Sequence, residues 1–429
     1  MFQPRLAFQS LHDQDIYQVD ALRQTLRYLQ DNSPFYQQLF EKTAVDITRV
    51  KGLKDLQQLP TTSKSDMQEY NWSFLCVPRS EIREYTATSG TMGRPVTIAL
   101  TENDLERLAY NEQQSFTCAG AKPEDIYQLM LTLDRQFMAG MAYYSGIRKI
   151  GAALVRTGPG LPQMQWDTIN RLGSNSLVAV PSFLLKMIDW AKEHGLNLDE
   201  MPVKKAVCIG ESLRYPDGKL NALGEKIASQ WPIQLYGTYA ATEMQTAFTD
   251  CEAGMGGHHQ PDLVIVEILD EEGNQLPDGA FGEITITTLG IEGMPLLRYR
   301  TGDIAALLNE PCSCGRHSRK LTHVTGRKQH MIKYKGTTLY PPAIFDILNE
   351  ANYIQEYVIE VFSNDMGTDE LKLHLYTQLN ADECEHKLKP LLQSRLRVVP
   401  LLHFHSGSDM QAMQFPAASR KQVRFIDNR

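Results

Sequence analysis

Tyr85-Thr86-Ala87-Thr88-Ser89-Gly90-Thr91-Met92-Gly93-Arg94-Pro95 is the stretch on which the reading of this chain turns. Hydroxyls, two glycines and one cation lie between strand-like segments. Glycine reaches positive φ, so successive backbone N–H groups there converge on an anion. Thr88, Ser89 and Thr91 add hydroxyl donors and Arg94 adds charge. The stretch reads as a phosphate grip. No Gly-Lys-Ser/Thr follows, which excludes a Walker loop, and the G-x-G-x-x-G of a dinucleotide fold is missing. Alone, a Ser/Thr/Gly-rich turn is an ordinary loop, so the reading depends on the rest of the chain.

Three further segments follow in order: Tyr236 to Glu243, Tyr299-Arg300-Thr301-Gly302-Asp303, and Gly326-Arg327 onward to Gly336. The four together resemble the adenylate-forming superfamily of acyl-CoA synthetases, luciferases and peptide-synthetase adenylation domains, with Met92 where a second threonine is usual. The segment from Leu53-Lys54-Asp55-Leu56 to Pro60-Thr61-Thr62-Ser63-Lys64-Ser65-Asp66, the short length and the ending narrow the resemblance to the phenylacetate-CoA ligase-like branch. It runs from about residue 50 to the end.

The order of elements agrees. Ile16, Val19, Leu22, Leu26 and Leu29 have helical spacing, so a helix opens the chain and ends near Pro34. Apolar runs at Ile126–Leu131, Ala152–Val155, Leu177–Val180, Ala206–Ile209 and Ile233–Tyr236 alternate with helical stretches such as Phe183–His194 and Leu213–Ser229. That alternation reads as α/β with a largely parallel sheet. After Pro261, Leu263–Leu269, Glu283–Thr288 and Leu296–Tyr299 read as closely spaced strands. The expectation is a large N-terminal adenylate-forming domain over 1–326, with mixed, largely parallel sheets and a β-rich subdomain at about 261–325. A small α+β domain over 327–429 follows, which the resemblance makes a mobile lid.

Joining a carboxylate to a thiol needs a leaving group on the carboxylate, and the resemblance supplies it from ATP. The acid attacks the α-phosphorus, pyrophosphate departs, and the thiol of coenzyme A displaces AMP from the acyl-adenylate. The resemblance gives the 85–95 stretch (Thr88, Ser89, Gly90, Thr91, Gly93) the β- and γ-phosphates. Glu243, after Thr242, would hold Mg²⁺, a cation that prefers oxygen ligands and bridges phosphates; its bland alternative is a solvated loop carboxylate. Thr238-Tyr239-Ala240-Ala241 separate Tyr236-Gly237 from Thr242-Glu243, so either Tyr236 or Tyr239 is the aromatic that stacks on adenine. Gly210-Glu211-Ser212 resembles the adenine-side turn, with Ser212 replacing proline. Asp303 would accept from the ribose hydroxyls, with Arg327 as a second ribose or phosphate contact; their bland alternatives are a turn aspartate and a surface arginine. At the end of the chain, Arg424-Phe425-Ile426-Asp427-Asn428-Arg429 sets a register that places Lys421 on the catalytic lysine, with Arg420 in place of glycine. Gln329 and His330 stand at the hinge position. Phe137, Met138, Tyr143 and Tyr144 read as core or as part of an acyl pocket.

Cys251, His258-His259 and Cys312-Ser313-Cys314-Gly315 are soft ligands in three short groups. Three thiols and one imidazole make a closed zinc set. Cys251, His258, Cys312 and Cys314 are therefore expected to hold a structural Zn²⁺, with His259 the alternative imidazole. The other cysteines read as small buried hydrophobes.

The bulk properties exclude some classes. Against 51 acidic residues stand 43 Lys and Arg, a net charge of −8, which argues against a nucleic-acid partner. The start of the chain lacks a signal-peptide pattern, and the apolar Leu177–Met187 region, with Pro181 and Lys186, is too short to span a bilayer. A cytoplasmic location and small-molecule partners are expected, and a homodimer stays open. Three functions remain: a ligase of a carboxylic acid, such as an aryl acid, with coenzyme A; an adenylating enzyme that loads a carrier protein or an amine; and a non-catalytic nucleotide-binding regulator.

Overall fold

The computed structural model describes residues 2–88, 95–364, 368–416 and 422–429. The chain divides into two compact units. Residues 1–220, 224–301 and 305–324 form the first, and 221–223, 302–304 and 325–429 the second.

The first unit is built on a nine-stranded sheet. Its parallel half consists of β1 (Ile126–Leu129), β2 (Ala153–Arg156), β3 (Ser176–Ala179), β4 (Lys205–Cys208) and β5 (Gln234–Ala241). Every residue of β3 and β4 is buried, as expected where helices cover both faces of a parallel sheet and a strand reads as a continuous apolar run. Beyond β5 the pairing turns antiparallel: β6 (Thr246–Asp250) pairs β5, and β7 (Gly257–His258) pairs β6. Helix α1 (Glu102–Cys118) starts at a capping box of Thr101 and Asp104 and packs against α2 (Met138–Ile150).

A second sheet contains β8 (Val264–Leu269), β9 (Gly282–Thr288) and β10 (Tyr299–Ala305), with the short strand Thr62–Ser63 parallel to β10. The strand expected at Leu296–Tyr299 therefore starts where that expectation ended. Leu296 and Leu297 are fully buried core residues, and the left-handed Arg298 (φ 44°) breaks the chain before the strand. The helix expected over Leu213–Ser229 is confined to Ala222–Ala228, because Tyr215–Gly218 turns and Arg214 bridges back to Leu220.

Arg107 of α1 is buried and joins the layers. Its guanidinium donates to Leu289 O, Gln245 O and Leu263 O at 2.8, 2.9 and 2.6 Å, and to Thr246 Oγ1 at 3.3 Å. It thus satisfies three carbonyls of segments that leave their strands there.

The second unit has a four-stranded sheet in the order β13 (Leu401–Phe404), β12 (Asp369–Thr377), β11 (Ile354–Ser363), β14 (Phe425–Asn428). One apolar cluster joins Val361, Leu371, Leu373 and Leu375 to the helices Pro341–Glu350 and Ala381–Leu396. Among the described residues no helix is long and apolar enough to cross a membrane.

Candidate active site and metal centre

Strands Glu84–Ala87 and Thr97–Leu100, which flank the opening stretch, pair antiparallel. Thr88 is buried; its N–H donates to Val96 O and its Oγ1 accepts from Val96 N, both at 3.0 Å. Ser89, Gly90, Thr91 and Gly93 lie outside the described residues, as does Lys421.

β5 delivers the second motif. Tyr236 is 5% exposed, belongs to the cluster of Phe116, Tyr127 and Tyr143, and donates its hydroxyl to Gln234 Oε1 at 3.0 Å. It is a core residue. Tyr239 is half-buried and tilted against Phe248 at 5.9 Å. Gly237 N donates to Asp250 Oδ2 at 2.9 Å, and Thr238 Oγ1 bonds Thr249 Oγ1 at 2.7 Å. After β5, Thr242 is half-buried and Glu243 is buried, with its Oε1 3.3 Å from Lys64 Nζ. Lys64 leads the helix Lys64–Tyr70 behind a capping box of Ser63 and Asp66. Nothing local in the sequence links this lysine to Glu243, far from it along the chain, so its place beside the carboxylate shows only in the fold.

Gly210 is exposed at φ 78° just past β4. Glu211 Oε2 accepts from Ser182 N at 2.8 Å and so caps the helix Pro181–Glu193, while Ser212 Oγ donates to Arg214 O at 2.8 Å. Tyr143 and Met138, offered above as pocket or core, are buried in two apolar clusters.

In the second unit Asp303 and Arg327 are register partners on adjacent antiparallel strands. Arg327 Nε donates to Asp303 Oδ1 at 2.8 Å; the carboxylate is buried and the arginine half-exposed. Arg429 donates to Gln329 O at 2.9 Å and Met331 O at 2.7 Å, which braces the segment around Gln329 and His330.

The Cys/His set comes together. The ligand atoms of Cys251, His258, Cys312 and Cys314 all lie within 4.8 Å of one another. Cys251 and Cys312 sulfurs are 3.5 Å apart, and Cys314 Sγ is 3.4 Å from His258 Nε2. Tetrahedral zinc with Zn–S bonds near 2.3 Å separates its sulfurs by about 3.8 Å, so this set fits the ion. Ser318 Oγ sits 3.4 Å from His258 Nδ1, on the side away from the thiols. Burial, helped by Arg316 and Lys320, pushes His258 down to about 3, so the imidazole is neutral and free to ligate. Burial would raise Cys314, but hydrogen bonds from the Arg316 backbone and guanidinium outweigh it, and the thiol sits below its usual range. His259 points elsewhere: its Nε2 lies 3.0 Å from Val264 O and 3.2 Å from Gln18 Nε2.

Comparison with known proteins identifies the class. Residues 44–292 match the model of the AMP-binding enzyme family, more than half of the chain, and the protein belongs to that family. Within it the chain is phenylacetate-CoA ligase-like. It is 28% identical over 357 residues to the phenylacetate-coenzyme A ligase of Thermus thermophilus, covering 81% of this chain and 78% of that one. The corresponding enzyme of Pseudomonas putida is 26% identical over 373 residues, covering 86% and 82%. A crystal structure of 2-hydroxyisobutyryl-CoA ligase in the postadenylation state shares the fold, with TM-score 0.86 at 21% identity, over 99% of this chain and 92% of that one.

Proposed function

We propose that the protein is an ATP-dependent, AMP-forming ligase that activates a carboxylic acid as its acyl-adenylate and transfers the acyl group to coenzyme A. The observation that carries the reading is Glu243: a buried carboxylate at the exit of β5, paired with Lys64, in a chain of the AMP-binding enzyme family.

In this reading the residues divide the work. The 85–95 stretch holds the β- and γ-phosphates of ATP. Tyr239 stacks on adenine against the Gly210–Ser212 turn, whose shape Glu211 fixes through Ser182. Asp303 takes the ribose hydroxyls, oriented by Arg327. Glu243 and the phosphates of ATP would together hold Mg²⁺, which supplies charge neutralisation at the phosphates when bound. Lys64 places a cation 3.3 Å from the buried Glu243 carboxylate. Lys421 stabilises charge as the acid oxygen attacks phosphorus, and positioning with charge stabilisation provides most of the rate. Residues 327–429 serve as the lid, pivoting near Gln329 and His330.

We further propose that Cys251, His258, Cys312 and Cys314 hold a closed structural zinc. Seven free cysteines, three of them in that set, suit a reducing cytoplasm. The acid is an aryl acid by family likeness.

Isotope exchange between pyrophosphate and ATP, across aromatic, aliphatic and amino acids with Mg²⁺, tests the first step. Exchange is expected with one chemical class only; absence across the panel with folded protein would sink the reading. Thioester formation with coenzyme A, against acylation of a carrier protein or an amine, then decides the acceptor.

A further inference from the structure

β5 changes partner at Gly237. On one side Gly237 is level with Cys208 of β4; on the other, the ladder with β6 starts one residue later, at Thr238 opposite Thr249. The next residue of β6 is Asp250, and its side chain, through the 2.9 Å bond from Gly237 N, finishes the ladder where backbone pairing stops. A Cβ at position 237 would lie 3.1 Å from that carboxylate oxygen, so the glycine leaves room for the aspartate.

Asp250 is 1% exposed, and a carboxylate so buried needs charge beside it. Arg214 Nε lies 3.8 Å from Oδ2 and His323 Nε2 3.6 Å from Oδ1. Arg214 also donates to Gly218 O at 2.9 Å and to Leu235 O, on β5, at 3.4 Å. The metal-ligand loop closes over it: a Cβ on Gly254, itself at φ 63°, would meet the guanidinium carbon at 2.9 Å. Ser212 is tied to the backbone of Arg214. Asp250 thus sits where the strand leading to Tyr239 and Glu243, the turn containing Gly210–Ser212, and the loop from Cys251 all meet.

We infer that Asp250, acting through Gly237 and Arg214, is a positioning residue for the adenine nucleotide, setting the Gly210–Ser212 turn against the β5 segment. The assignment rests on the nucleotide-site reading above. Asp250 touches no reacting atom, so it acts on nucleotide affinity more than on turnover.

The test is equilibrium binding of ATP with Mg²⁺ to the full chain, followed by KM and kcat. Asp250→Asn keeps an acceptor for Gly237 N–H and removes the charge; Arg214→Met removes the cation. Each is expected to weaken ATP binding and raise its KM about tenfold, the scale for losing a charged partner, with kcat within about threefold of wild type. The double variant should be no worse than the poorer single, because the two act as one unit. Unchanged affinity in Asp250→Asn, or additive losses in the double variant, overturns the inference. So does loss of bound zinc or of the urea midpoint alongside affinity, which would make Asp250 a support of the metal loop alone. Wild-type protein that fails to bind ATP would instead remove the nucleotide-site reading, and the inference with it.

Discussion

Glu112 lies on α1, 3% exposed, with Asn111 Nδ2 donating to its Oε1 at 2.9 Å and Gly146 of α2 packed directly against its Cβ. Burial raises its pKa from 4.5 to about 8; hydrogen bonds from Asn111 and Ser115 pull the other way and lose. The folded chain therefore keeps this proton up to about pH 8, while the unfolded chain loses it near 4.5. Between those values the unfolded state binds fewer protons, so rising pH favours unfolding and stability falls across the window. At about 1.4 kcal/mol per pKa unit, the penalty is about 3 kcal/mol at pH 7 and approaches about 5 kcal/mol above pH 8. Glu112→Gln keeps the shape and removes the titration. Urea denaturation at about pH 5 should find the two proteins nearly equal, and by about pH 8 the variant should be ahead by several kcal/mol. Parallel pH profiles for the two proteins would refute the reasoning. A variant less stable than wild type at pH 7 would also refute it, since it would mean the carboxylate is ionised and useful where it is.

Arg107→Leu should destabilise the first unit by about 3–5 kcal/mol, because it strands three buried carbonyls; a urea midpoint within error of wild type would contradict that. Metal analysis should find about one zinc per chain, and Cys314→Ser should lower metal content and melting temperature before it lowers adenylation; full metal content in the variant would exclude Cys314 as a ligand. Lys421→Ala should slow adenylation by a factor of about 10²–10³ yet pass a supplied acyl-adenylate to coenzyme A at a near-normal rate; equal damage to both steps would make the lysine structural.

The parallel core was legible because strands buried on both faces are written as unbroken apolar runs, as Leu177–Val180 is for β3. β10 was misplaced because the strand itself carries Thr301, Gly302 and Asp303. Those residues break the apolar pattern, while the apolar Leu296 and Leu297 pack as irregular core. The helix expected from Leu213 gave way to a turn that Pro216, Asp217 and Gly218 signal only once helical periodicity is set aside. Soft ligands announce themselves, so the four-residue Cys/His cluster could be read; the choice between His258 and His259 could not, because it depends on which imidazole faces the thiols, and His259 turns to Val264 O instead. Tyr236 and Tyr239 differ by burial, not by type. The Lys64–Glu243 and Arg214–Asp250 pairs link distant segments and leave no local trace.

The central claim is that ATP is split at its α-phosphorus. Product analysis of a single turnover tests it most directly, with ATP, Mg²⁺, coenzyme A and an acid that supports exchange. The account predicts AMP and pyrophosphate, each formed in the same amount as the thioester. ADP and inorganic phosphate appearing with the thioester would mean that the acid is activated as an acyl-phosphate, and would contradict it.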